Sequence, residues 1–120
     1  FVIPGGDRGA RNIAASDVIM DVIKRHVESG KLLAAICAAP AVVLGSAGLL
    51  QGKRFTCYPG YESSVQGGRF SQDRVVVDGS LITSRGPGTA AEFALAVIRA
   101  LVDDATAEDL KKKTIQPVAV

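Results

Sequence analysis

At 120 residues, 48% hydrophobic and 22% charged, the chain has room for one packed domain, and this composition excludes disorder over most of its length. A formal charge of +2, scattered along the chain, offers no nucleic-acid surface; the one basic run, Lys111-Lys112-Lys113, reads as a solvated helix face. No apolar run reaches membrane-spanning length and no signal-peptide pattern opens the chain, so no membrane partner is expected.

Phe1-Val2-Ile3 reads as the end of a strand. Pro4 stops it, and Gly5-Gly6 permit a turn that residues with side chains resist. Such a loop lies at the strand edge where open α/β sheets bind ligands, which makes the Gly5 and Gly6 amides candidates for stabilising an anion or oxyanion; a plain turn is the other reading. Because a parallel sheet needs neighbours on both sides and the strands here are few and short, residues 1–120 are expected to form the C-terminal portion of a single larger domain, with a segment preceding Phe1. Ser16 caps a helix predicted over residues 17–29, with Val18, Val22, Ile23 and Val27 at helical spacing and Gly30 as terminator. His26, the only histidine, has charged neighbours and reads as a surface residue.

Residues 31–40, K-L-L-A-A-I-C-A-A-P, follow. The apolar run from Leu32 to Ile36 reads as a buried strand, and Ala38-Ala39-Pro40-Ala41 as the first turn of a helix, which puts Cys37 on the hinge between them. A nucleophile elbow has this strand, sharp turn and helix, with small residues two before and two after the nucleophile; here they are Ala35 and Ala39. A thiol at a helix N-terminus has its thiolate favoured. A buried, inert cysteine is the alternative.

An Ala, Val and Leu-rich helix over residues 39–47 is expected to be buried, closed by Gly48. Residues 53–57 read as a short strand, in which Cys57 is a packed residue rather than a second nucleophile, and a Gly and Ser-rich loop runs on to Gly68. With two cysteines, no Cys-x-x-Cys and no His/Cys cluster, no disulfide framework, metal site or other cofactor is expected, and a reducing, cytoplasmic location fits. Residues 74–78 and 80–84 form a hairpin through Asp78-Gly79. The loop Arg85-Gly86-Pro87-Gly88 then leads to a helix over residues 90–102, started by a Thr89/Glu92 capping box and packing through Phe93, Ala94, Val97, Ile98 and Leu101. Thr106 and Asp109 suggest a last helix to Lys113, and the apolar tail, residues 115–120, is expected against the fold or a partner.

P-G-G at residues 4–6, A-A-I-C-A-A-P at residues 34–40, residues 53–59, and T-S-R-G-P-G-T at residues 83–89 occur in an order that closely resembles the ThiJ/PfpI superfamily, in its parkinsonism-associated protein deglycase branch. The likeness covers essentially the whole chain. It implies a flavodoxin-like three-layer sandwich with a mainly parallel sheet, here lacking its N-terminal portion, and usually a homodimer. It also implies that Cys37 is the reactive cysteine, with the Gly6 and Ala38 amides pointing at it. The family glutamate that hydrogen-bonds this cysteine would come from a segment upstream of Phe1. Some members pair the cysteine with a histidine, but this chain has Ala38 and Tyr58 at those places, which argues against a Cys-His protease. Tyr58 is either a hydrogen-bond donor to substrate or a packing residue, and Gly5, Ser84 and Arg85 are further candidate substrate contacts. The implied function is a cysteine-dependent stress response of glyoxalase or deglycase type, in which Cys37 adds to a small reactive aldehyde such as methylglyoxal or repairs a glycated substrate. The alternative is a redox sensor and chaperone in which Cys37 is oxidised to sulfinate.

Overall fold

One short strand, β2 (Leu33–Ile36), organises the molecule in a computed structural model that describes residues 1–117. Successive side chains on a strand point to opposite faces. Leu33 and Ala35 accordingly join one apolar cluster with Ile3, Ala10, Met20, Ile23, Val43 and Leu44, while Ala34 joins another with Ile82 and Phe93. Alanines at Ala34 and Ala35, both fully buried, leave room for helices to approach on either side. The outcome is a three-layer arrangement in which β2 lies inside a four-stranded sheet.

In that sheet β1 (Val2–Ile3) pairs parallel with β2, which pairs parallel with β6 (Leu81–Ser84); β5 (Val75–Asp78) closes the order β1-β2-β6-β5 as an antiparallel partner of β6. The expected hairpin turns at Gly79, whose φ of +59° is open to glycine without strain. The mainly parallel α/β sandwich is thus as the sequence implies. Helices α1 (Asp7–Ala14) and α2 (Asp17–Glu28) supply Ala10, Met20 and Ile23 to one face, and α3 (Ala90–Leu101), backed by α4 (Asp104–Lys113), supplies Phe93 to the other. A small separate parallel pair, β3 (Arg54–Phe55) and β4 (Arg69–Phe70), is tied to the β5–β6 hairpin by Arg54 N–H donating to Asp78 Oδ2 at 2.8 Å. Among the described residues no helix is long and apolar enough to cross a membrane.

Several local expectations need correction. Helix α1 and strand β4 were not legible in the sequence. The helix expected over residues 39–47 is a π-helical segment, Pro40–Gly45, with Ser46 N–H donating to Ala41 C=O at 3.2 Å and Leu49 N–H to Leu44 C=O at 3.0 Å. Thr89 does not cap α3, because its hydroxyl turns back to bond Ser84 and the loop, and Glu92 pairs with Arg74 instead. For α4 the cap is Asp103, which accepts from Thr106 N–H at 2.7 Å. The buried faces also rotate. Met20 and Ile23 go inward on α2 while Val18 and Val22 are exposed, and Phe93 and Leu95 go inward on α3 while Leu101 is exposed. Ile115 is 90% exposed, against the expected packing of the tail; residues 118–120 lie outside the described residues.

Candidate functional site

Parallel pairing brings the C-terminal ends of β1, β2 and β6 to one edge, where the loops at residues 4–6, 37–39 and 85–88 meet. Cys37 stands at the centre. Its φ of +68° is left-handed, a conformation that costs a residue with a side chain about 1–3 kcal/mol and persists only where the surroundings enforce it. The enforcement is visible on both sides of the residue. Cys37 N–H donates to Ser84 C=O at 3.0 Å, and Cys37 C=O accepts from Tyr58 N–H at 2.8 Å. The thiol is free and half-buried.

Gly5 lies directly against this cysteine: a Cβ added there would stand 2.6 Å from Cys37 Cβ and 3.4 Å from Sγ. Only glycine fits. Gly6 follows at φ +94° as the N-cap of α1. Ala38, 1% exposed, sends its methyl into the core beside the sheet. Of the glycines expected beside Cys37, Gly5 is the one in direct contact with it.

Tyr58 forms the rim. It is 46% exposed, its ring stands edge-on to Tyr61 with centroids 6.2 Å apart, and a Cβ added at Gly86 would meet Tyr58 Cδ2 at 3.4 Å. Tyr61 donates its hydroxyl to Asp7 Oδ1 at 2.7 Å, and Arg11 Nε donates to both oxygens of the same carboxylate. The Arg11 bond, then the Tyr61 bond, hold the Asp7 carboxyl below its usual range, while the bond to Asp7 raises Tyr61. Asp7 and Tyr61 escaped the sequence reading. The usable signal was an Asp opening a helix with Arg four residues on.

Other candidates change meaning. Ser84 is fully buried and its hydroxyl bonds Arg74 C=O at 2.7 Å and Thr89 Oγ1 at 2.6 Å, so it supports the loop and is closed to substrate. Arg85 donates Nε to Cys57 C=O at 3.0 Å and lies over the Phe70 ring, tying the loop to the segment before Tyr58. Cys57 is fully buried; burial, then the nearby Glu62 charge, pushes its thiol up to about 12. That is an inert thiol at neutral pH. His26 is half-buried rather than on the surface, with Nε2 bonded to Leu32 C=O at 2.6 Å, at the opposite end of β2 from Cys37. Among the described residues no cluster of three or more His, Cys, Asp or Glu could hold a metal ion.

Comparison with known proteins agrees with this geometry. The profile of the DJ-1/PfpI family matches residues 1–100. The chain is 43% identical over 115 residues to Protein DJ-1 homolog B of Arabidopsis thaliana, covering 96% of this chain and 26% of that protein. It is 41% identical over 103 residues to the glutathione-independent glyoxalase DJR-1.2 of Caenorhabditis elegans, covering 84% and 54%. Among solved structures, Drosophila melanogaster DJ-1beta superposes with a TM-score of 0.91 at 38% identity, covering 98% of this chain and 63% of that one. The chain therefore spans from about a quarter to just under two thirds of these relatives' lengths.

Proposed function

Because the chain belongs to the DJ-1/PfpI family, we propose that it carries the nucleophile of a glyoxalase or deglycase-type activity, with Cys37 acting on reactive dicarbonyls such as methylglyoxal. The observation that carries this reading is the left-handed backbone of Cys37, held by hydrogen bonds to the end of β6 and from the Tyr58 segment, with Gly5 packed against it. Strain of this kind collects at functional sites. A relative named as a glutathione-independent glyoxalase supports the reaction class.

The Cys37 thiolate adds to the aldehyde carbon, forming a C–S bond as the carbonyl electron pair moves to oxygen, where the Gly6 and Ala38 amides receive the charge. Protonation of that oxygen gives a hemithioacetal. Removal of the proton on the former aldehyde carbon gives an enediol, and reprotonation at the adjacent carbon leaves an S-lactoyl thioester. Water then attacks the thioester, lactate leaves and the thiolate returns. No outside oxidant or reductant is needed, since one carbon is oxidised as its neighbour is reduced. The carbon-bound proton passes to a carboxylate base, the role that the family likeness gives to a glutamate, and the exposed Tyr58 hydroxyl donates to the substrate oxygen.

Lactate formation from methylglyoxal, followed by proton NMR in the whole protein and in Cys37→Ala, tests the reading. Turnover lost in the variant is expected. Equal turnover in both removes Cys37 as nucleophile, and no turnover in either, with peroxide oxidation confined to Cys37, replaces the enzyme with the redox sensor.

A further inference from the structure

The two loops that hold Cys37 are themselves joined. On one side Gly5 touches the cysteine, and Asp7 follows two residues later as the first residue of α1. On the other, Tyr58 N–H holds the Cys37 carbonyl, and Tyr61 stacks edge-on against Tyr58. The 2.7 Å bond from the Tyr61 hydroxyl to Asp7 Oδ1 spans 54 residues of sequence and closes the ring around the cysteine. Arg11 Nε also donates to both oxygens of this carboxylate, so Oδ1 accepts from Arg11 and Tyr61 together and Asp7 is anchored on its own helix.

We infer that the Asp7–Tyr61 hydrogen bond is a clasp holding the Gly5–Gly6 loop and the Tyr58 segment in place around Cys37, which makes Asp7 and Tyr61 positioning residues for the chemistry at that thiol. The inference rests on the nucleophile reading above. Exposed polar pairs contribute little to global stability, so the effect of the clasp is local. It acts where the backbone most needs support, at the left-handed residue. The carboxylate is held below its usual range and the phenol above its own, so both groups keep the required protonation states throughout the neutral range.

The test uses Tyr61→Phe, which removes only the hydroxyl, together with Asp7→Ala, Asp7→Asn and the Tyr61→Phe/Asp7→Ala double variant. Each is measured for methylglyoxal kcat and KM, for the rate of Cys37 alkylation by iodoacetamide, and for Tm. A kcat lowered about three- to tenfold, the equivalent of one hydrogen bond, is expected in Tyr61→Phe and Asp7→Ala with KM within about twofold. Asp7→Asn, which keeps an acceptor oxygen, should recover most of the loss. The double variant should be no worse than the single ones, because both remove the same interaction. Additive losses, or wild-type kcat and alkylation rate in Tyr61→Phe, overturn the clasp. If the parent protein shows no turnover at all, the enzyme reading fails by itself, and the alkylation rates still decide the clasp.

Discussion

Cys37 and Cys57 have the same side chain and different surroundings, in backbone and in burial. Cys37 is half-buried at a left-handed turn between strand and π-helical segment; Cys57 is sealed in the core, its thiol raised to about 12. Gly5 is the residue on which the Cys37 geometry most visibly depends. In Gly5→Ala the new methyl would stand 2.6 Å from Cys37 Cβ, so either the loop or the cysteine must move. Misplacement of a reacting atom by about an ångström can cost about a hundredfold, and we expect Cys37-dependent turnover to fall by about tenfold or more in this variant, measured by initial rates. Retention of full rate would show that the close packing of Gly5 has no bearing on reactivity.

At the scale of elements, what the sequence made legible was the set of parts with strong local signals. Ser16 caps α2 through Ile19 N–H at 3.3 Å, Gly30 ends it at φ +73°, and Asp78-Gly79 turns a hairpin. The strand carrying Cys37 was legible from its apolar run. Less legible were features decided by tertiary contacts. Helix α1 has one buried residue, Ala10, hence almost no apolar stripe to read. Thr89 and Glu92 have capping-box spacing, yet the Thr89 hydroxyl finds buried partners at Ser84, Arg85 N–H and Gly86 N–H, and these outcompete a solvent-side cap. Thr89→Val should therefore leave buried groups unpaired and cost about 1–3 kcal/mol in denaturant unfolding. A loss well below that range would mean the loop repairs its bonds with water. Phe93→Ala, which empties the face shared with Ala34 and Ile82, should cost about 3–5 kcal/mol by the same measurement.

For the molecule as a whole, the resemblance read from short motifs and the fold agree on three layers and a mainly parallel sheet, with Cys37 following the C-terminal end of β2. One property of the site reaches global stability. Cys57 ordinarily titrates near 9.0 and is raised to about 12 in the fold, so the folded state holds its proton more tightly than the unfolded chain. Its contribution is complete below about pH 9 and is lost as pH rises toward 12. Denaturant midpoints should fall over that window, and the fall should flatten in Cys57→Ala; an unchanged slope would remove Cys57 as its origin.

The most direct test of Cys37 as the reactive thiol is peptide mapping after brief exposure of the folded protein to substoichiometric iodoacetamide at neutral pH. The expected result is carbamidomethylation of Cys37 with Cys57 unmodified until the chain is unfolded. Labelling of Cys57 at a rate equal to or above that of Cys37 would contradict it.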